Sequence, residues 1–403
     1  MAKTVVIVGA LDTKGEEFTF LKGRIEAAKV NAFVVDVGVM GRPGFEPDIK
    51  REEIARAGGS DLAHLASGEH KDDAMQTMAA GLAVVVRDLY DEGKLDGIIG
   101  MGGTGSTSVV TTAMRTLPVG VPKVMVSTVG GGNVSPYAGS KDITFMPSVV
   151  DVAGINRISR TIFANAAGAI TGMVSAGQPR AVEERPLVTA SMFGNTTTAV
   201  NHAQGIVEGR GYEVLVFHAT GTGGRTMESL IADGYIAGSM DITTTELADT
   251  VCGGLFDAGP DRCLAASRAG IPAVVVPGCV DMANFGSIET VPERYRNRNL
   301  YRWNPDITLL RTNVEENIRI GEMLAAAVNE AVAPVTILLP LKGVSMLDSE
   351  GGPFWDPGAD GACFDAIRSN LRPDIPVIEL EDNINDPTFS GRVAQTLLAM
   401  LGA

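Results

Sequence analysis

The sequence predicts an α/β protein of two Rossmann-like domains, each a mainly parallel sheet with helices on both faces. Three observations predict it. At 403 residues the chain is too long for one ordinary hydrophobic core and suits two of roughly 200 residues each. Short apolar runs ending in glycine or small polar residues alternate with amphipathic stretches of helical length, the pattern of βαβ units and of a parallel sheet covered on both sides. The alternation breaks down once, over Ser175–Pro186, a stretch rich in Gly, Pro and charge, and then restarts. The expected division is a nucleotide-binding domain over 1–177, a linker over 178–186 and a second domain over 187–403.

In the first domain, strands are expected at Thr4–Ala10, Ala32–Val39, Asp96–Met101 and Lys123–Val129, with a short one at Thr144–Met146. The clearest helix is Lys71–Glu92, where Met75, Met78, Leu82, Val85, Val86 and Leu89 recur at three and four and form one buried stripe. Val152–Val174 reads as a long closing helix. In the second domain, strands are expected at Leu187–Met192, Glu213–His218, Ala273–Pro277, Thr308–Arg311, Val335–Leu339 and Val377–Glu381. Helices fit Thr196–Gly209, Arg225–Asp233, Thr243–Cys252, Val314–Val332, Ala362–Leu371 and Pro387–Leu401. Val280–Asn304 has neither period and reads as a long functional loop. The openings of the two halves, Val5–Gly15 and Leu187–Thr198, echo each other as strand, Gly/Thr turn and helix, which suggests a duplicated unit.

Composition narrows the function. There are 33 Lys plus Arg against 48 Asp plus Glu, a formal charge of -15, and that field repels phosphate backbones and acidic membrane surfaces. Nucleic acid and membrane are therefore not expected partners. No apolar run approaches the ~20 residues of a membrane helix, and Met1-Ala-Lys leads directly into a strand without a signal-peptide core, so a cytoplasmic protein is expected. Cys252, Cys263, Cys279 and Cys363 form no CxxC pair, and His64, His70 and His202 have no metal-ligand spacing, so neither a disulfide framework nor a zinc site is expected.

Open parallel sheets bind ligands beyond the carboxyl ends of their strands, so the loops after strands carry the candidates. In Gly9-Ala-Leu-Asp-Thr-Lys-Gly15, Thr13 and Gly15 offer backbone N–H groups at a helix start, Lys14 adds charge, and Asp12 caps the helix or holds a metal-bound water. Gly100-Met-Gly-Gly-Thr-Gly-Ser-Thr107 has GxGxxG spacing; the amides from Gly102, Gly103 and Thr104 through Gly105, Ser106 and Thr107 would face an anion, with hydroxyls from Thr104, Ser106 and Thr107. No acidic residue ends the following strand, which argues against a dinucleotide and leaves phosphate or carboxylate. Gly130, Gly131 and Gly132 end that strand and allow close backbone approach, while Arg42 could clamp a phosphate from the side. The second domain repeats the theme at Phe193–Thr198 and His218–Thr226, an anion pocket expected to face the first across a closing cleft hinged near Gly177. Cys279 and Asp281 lie at a strand end, where a nucleophile or base would stand.

The stretches Val8–Gly15, Gly100–Thr107, Ser127–Asn133 and Phe217–Gly224, in this order, resemble those of the Tm-one-like ATP-binding family, named for the amino-terminal domain of the tomato mosaic virus resistance protein. The resemblance runs from Lys3 to about Leu398. It implies two Rossmann-like domains, ATP as ligand and a homodimer. On that basis phosphates would lie on Gly102–Thr107 near Lys14, and Mg²⁺ would be held through phosphate oxygens and waters with Asp12 as an outer ligand, the chain then acting with ATP on a small carboxylate. Two alternatives stay open: an ATP-independent lyase or hydrolase of small organic acids using Cys279 or Asp281 with His218, and a nucleotide-responsive regulatory module without turnover.

Overall fold

In a computed structural model that describes residues 2–67, 71–176 and 184–402, the chain forms two compact units, 1–180 and 181–403. His70, the proposed hinge Gly177 and most of the 178–186 linker lie outside the described residues.

Unit 1 consists of β1 (Thr4–Gly9), α1 (Leu11–Ala27), β2 (Asn31–Asp36), α2 (Arg51–Ala57), α3 (Leu62–Leu65), α4 (Lys71–Asp91), β3 (Gly97–Gly102), α5 (Thr104–Met114), β4 (Lys123–Ser127), α6 (Ser135–Ala138), β5 (Thr144–Pro147) and α7 (Arg157–Ala176). Its five strands are all parallel in the order β2-β1-β3-β4-β5. Alternation along a strand sends successive side chains to opposite faces. Val6, Val8, Ile98 and Met125 meet Met78, Leu82 and Val86 of α4 and Val110 of α5 on one side. Val5, Ile7, Ile99 and Val126 meet Phe18 and Leu21 of α1 and Phe163 and Ile170 of α7 on the other. Both faces are covered, so the central strands are apolar along Val5–Val8 and Gly97–Gly102. The closing helix begins at Arg157, five residues later than its periodicity suggests, because Val152 and Gly154 are held in a loop by α1 and the Asn156 side chain accepts from the amides of Ile158 and Ser159.

Unit 2 consists of β6 (Leu187–Met192), α8 (Thr197–Glu208), β7 (Glu213–His218), α9 (Thr222–Ala232), β8 (Ile236–Thr243), α10 (Thr245–Cys252), α11 (Ala265–Ala269), β9 (Ala273–Gly278), β10 (Met282–Phe285), β11 (Leu300–Asn304), β12 (Ile307–Arg311), α12 (Val314–Asn329), β13 (Val335–Pro340), α13 (Pro357–Asn370), β14 (Val377–Leu380) and α14 (Pro387–Leu401). The main sheet is parallel in the order β14-β13-β9-β8-β6-β7. α8 and α14 cover one face, α10, α12 and α13 the other. Counted from its own first strand, each sheet runs 2-1-3-4-5, and the second adds a sixth strand.

Two features depart from the sequence reading. β8 sits inside the sheet, yet its Ile-Ala-Gly-Ser-Met-Asp-Ile-Thr has no apolar run, because Ser239 and Asp241 are buried against polar partners. Thr308–Arg311 does not join the main sheet: β12 pairs antiparallel with β10 and β11, which form within the stretch read as a loop.

Candidate functional site

In unit 1 the order reverses at β1, with β2 on one side and β3 on the other, so the connections diverge above β1 and β3. Three loops meet there. The first is the β1–α1 turn. Asp36, at the end of β2, accepts from the amides of Leu11 (3.0 Å) and Gly38 (2.9 Å) and pins that turn; burial raises its pKa, against the two amides and Arg51, which lower it. Asp12 neither caps α1, whose N-cap position is Ala10, nor reaches outward. Its Oδ2 accepts from Met40 (2.9 Å) and Gly41 (3.0 Å), with the Arg51 guanidinium 3.9 Å away, so it braces the loop after β2. Thr13 is exposed, but its amide and that of Lys14 already bond the Ala10 carbonyl. The Lys14 Nζ donates to the Val152 carbonyl, and a Cβ built on Gly102 would lie 3.9 Å from Lys14 Cε, so the ammonium stem runs beside the second loop.

That second loop joins β3 to α5. Gly103 is the N-cap of α5, no side chain caps the helix, and the amides of Thr104, Gly105 and Ser106 are those that a helix leaves for an outside acceptor. Thr107 belongs to the interior: it is fully buried, its amide and hydroxyl both bond the Gly103 carbonyl at 2.9 Å, and its hydroxyl meets Ser127 Oγ at 2.7 Å. Gly102 is required sterically, since a Cβ would fall 2.5 Å from that of Ser106. Gly103 is different, with only Thr128 Oγ1 nearby at 3.8 Å.

The third loop follows β4. The Gly130 amide bonds Ser127, and a Cβ there would press on the backbone at Met146 and Pro147, so Gly130 permits strand packing. Gly131 and Gly132 are exposed, and Gly131 faces open space. Thr128, Gly131 and the segment Pro147–Asp151 line an open cavity of about 530 Å³. The structure thus brings Lys14, Gly102–Ser106, Thr128 and Gly131 to one end of the sheet; Asp12, Thr107 and Gly130 serve its framework. Arg42 is exposed.

Unit 2 uses its corresponding glycine turn differently. Glu246, in the first turn of α10, is fully buried, and its Oε1 accepts from the amides of Gly221 (2.7 Å) and Gly224 (3.1 Å). The protein's own carboxylate occupies the place read as a second anion pocket. Behind it, Arg262 donates to Glu246 Oε2 (2.5 Å), to both oxygens of Asp241 (2.5 and 2.7 Å) and to Glu228 (3.1 Å). Burial raises the Glu228 pKa despite the guanidinium beside it. Cys279 and Asp281 are fully buried; burial drives the Cys279 thiol pKa far above its usual value, whereas His218 is exposed with its ring 5.6 Å from that of Phe193. The thiol therefore has neither access to a substrate nor a base. Asp281 accepts from Ser345 Oγ at 2.8 Å and stands with Asp348 and Asp360 around Arg311; burial lifts Asp281 to about 7 and Asp360 to about 8. All four cysteines are buried free thiols, and among the described residues no group of three or more His, Cys, Asp or Glu is placed to hold a metal. No described helix is long and apolar enough to cross a membrane.

Residues 3–179 match the N-terminal domain, and residues 185–401 the C-terminal domain, of the Uncharacterised protein family (UPF0261). The chain belongs to UPF0261. A UPF0261 protein of Clostridium tetani is 48% identical over 402 residues, covering 100% of both chains. The ToMV resistance protein Tm-1 of Solanum lycopersicum is 35% identical over 421 residues, covering 98% of this chain but 55% of the tomato protein. Among solved structures, the UDP-N-acetylglucosamine 2-epimerase from Rickettsia bellii aligns over 100% of this chain and 96% of its own at 11% identity and a TM-score of 0.24, a likeness that says nothing of function.

Sequence reasoning missed several residues that shape the sites of this UPF0261 chain. Asp36 and Arg51 fix the β1 and β2 loops, and Glu246 with Arg262 fills the unit 2 turn. The signal for Glu246 was available in part, as an acidic residue in a first helical turn; its partners, 22 to 25 residues away, were not.

Proposed function

We propose that this UPF0261 chain binds a nucleoside triphosphate, ATP accompanied by Mg²⁺, at the ends of β1, β3 and β4 in unit 1, and uses it on a small carboxylate metabolite. The observation that carries the reading is the start of α5: a bare Gly102-Gly103 approach, three uncapped amides at Thr104, Gly105 and Ser106, and the Lys14 stem alongside, at the point where the strand order reverses. Uncapped amides backed by a helix dipole favour phosphate oxygens, and Lys14, whose ammonium is held on the Val152 carbonyl, adds positive charge beside them. Mg²⁺ would ride on phosphate oxygens and waters. Asp12 does not suit it, because its Oδ2 is committed to two amides and its Oδ1 is buried. The resemblance of the Val8–Gly15, Gly100–Thr107, Ser127–Asn133 and Phe217–Gly224 stretches to the Tm-one-like ATP-binding family supports the choice of nucleotide; the homodimer is part of the same proposal.

Gly103→Val tests it. The Cβ meets only Thr128 Oγ1 at 3.8 Å, and φ -80°, ψ -170° suits valine, so the fold accepts the change while the side chain stands over the amides. Calorimetric titration with Mg-ATP should show binding to the parent and none to the variant, with unchanged far-UV circular dichroism. Equal affinity in the two overturns the reading. Release of phosphate or ADP on addition of small carboxylic acids distinguishes turnover from binding alone.

A further inference from the structure

The cavity of about 530 Å³ beyond β4 and β5 has a shape and a chemistry that the phosphate reading leaves unexplained. Thr128 lines it and also faces Gly103, so it adjoins the start of α5. One wall is a three-residue turn, Ser148-Val149-Val150, closed by the Val150 amide on the Ser148 carbonyl at 2.7 Å and by Ser148 Oγ on the Val150 carbonyl at 2.6 Å. Val149 at its apex has φ +64°, a left-handed conformation that a β-branched side chain rarely adopts, and is 72% exposed. Asp151 follows directly. Its Oδ1 accepts the Val152 amide at 2.8 Å, and its side chain is exposed.

The loop that carries these residues is fixed from behind. Lys14 holds the Val152 carbonyl and Glu17, nearly buried, accepts the Gly154 amide at 2.5 Å, both from α1. An exposed apolar residue in a strained turn, a carboxylate beside it and two anchors under the loop form a rigid, amphipathic wall. The cavity is open to solvent on its outer side, so a bound ring would lie against this wall with one face exposed. A carboxylate beside an anion site repels more phosphate but accepts hydrogen bonds from vicinal hydroxyls, which is how acidic residues read a ribose. In common nucleotide folds that residue ends the next strand; β4 ends in Ser127, and the acid here arrives one strand later.

We propose that this cavity is a nucleoside subsite in which Asp151 accepts hydrogen bonds from ribose hydroxyls and the Pro147 and Val149 surfaces lie against the base. It rests on the assignment of phosphates to the start of α5. The experiment titrates the full-length parent and Asp151→Asn with Mg-ATP, with adenosine and with inorganic tripolyphosphate. Expected are a roughly tenfold or greater loss of ATP affinity in Asp151→Asn, a parallel loss for adenosine, and tripolyphosphate binding that is unchanged or slightly tighter, since a charge-assisted hydrogen bond to ribose is replaced by a weaker one while the amides that hold the phosphates stay and a neighbouring negative charge is removed. Equal ATP affinity in parent and variant, with tripolyphosphate bound by both, overturns the subsite and leaves the phosphate site standing. Adenosine binding that depends on Asp151, with no tripolyphosphate binding, upholds the subsite and overturns the phosphate assignment. If the parent binds none of the three, both fall.

Discussion

Gly224→Ala probes the carboxylate in the unit 2 turn. A Cβ at this position would lie 2.3 Å from Glu246 Oε2 and 2.5 Å from Oε1. A flexible carboxylate would normally swing aside, but Glu246 is fully buried and held by Gly221, Gly224 and Arg262, so moving it breaks its ion pair with Arg262 and leaves the Gly221 and Gly224 amides without their acceptor. Disrupting a buried, hydrogen-bonded ion pair costs about 3–5 kcal/mol, and Ala for Gly within α9 returns about 1 kcal/mol, so a net loss of about 2–4 kcal/mol is expected. Both tryptophans, Trp303 and Trp355, lie in unit 2, so their fluorescence reports its unfolding. With a urea slope of about 2 kcal/mol/M, the midpoint should fall by about 1–2 M. Glu246→Ala alone should also destabilise, and adding Gly224→Ala to it should cost little more, because the clash is gone. A Gly224→Ala midpoint equal to or above that of the parent would refute the reasoning and show that helix propensity outweighs the carboxylate.

Three further outcomes follow from other parts of the structure. Lys14→Ala should weaken Mg-ATP about tenfold by calorimetry, less than Gly103→Val, since backbone amides form the greater part of the proposed site. Unit 2 should melt at a lower temperature as pH rises from 5 to 8: unfolded aspartates ionise near 4, whereas burial keeps Asp249 and Asp281 protonated to about 7 and Asp360 to about 8, so the folded state binds more protons in this window and loses stability through it. A Tm that climbs over the same range, read by tryptophan fluorescence, contradicts this. Val149→Gly should stabilise unit 1 by about 1 kcal/mol in scanning calorimetry, because glycine has no Cβ to strain a turn at φ +64° and the replaced side chain is exposed.

What could be read from sequence depended on where the decisive partner lay. The α4 stripe is legible because its spacing is local, and Met78, Leu82 and Val86 are buried as that spacing requires. The Gly102–Ser106 turn is legible because glycine spacing and a strand-to-helix transition are both local. β8 is not: Asp241 inside a sheet is intelligible only with Arg262, 21 residues on, and without it the segment resembles a loop. The glycines of His218–Thr226 look locally like room for a ligand; a turn shaped for a foreign anion and one shaped for an internal carboxylate have the same local sequence. The left-handed backbone at Val149, and with it the wall of the cavity, leaves no trace in residue type at all.

The shared strand order of the two sheets has a consequence for how the chain assembles. Tandem units of like topology are prone to exchange equivalent strands while folding, a route to misassembly. The third strand of each sheet differs in kind: β3 is apolar and glycine throughout, whereas β8 carries Asp241. A β3 segment docked in the second sheet would leave Arg262 without its two-toothed partner, and β8 docked in the first would bring a carboxylate among apolar helices with no guanidinium to meet it. The first error takes from Arg262 its bidentate partner and the second buries a carboxylate without one, so each raises the misassembled state. The Asp241–Arg262 pair thus marks β8 as a strand that fits only the second sheet, by charge rather than by shape.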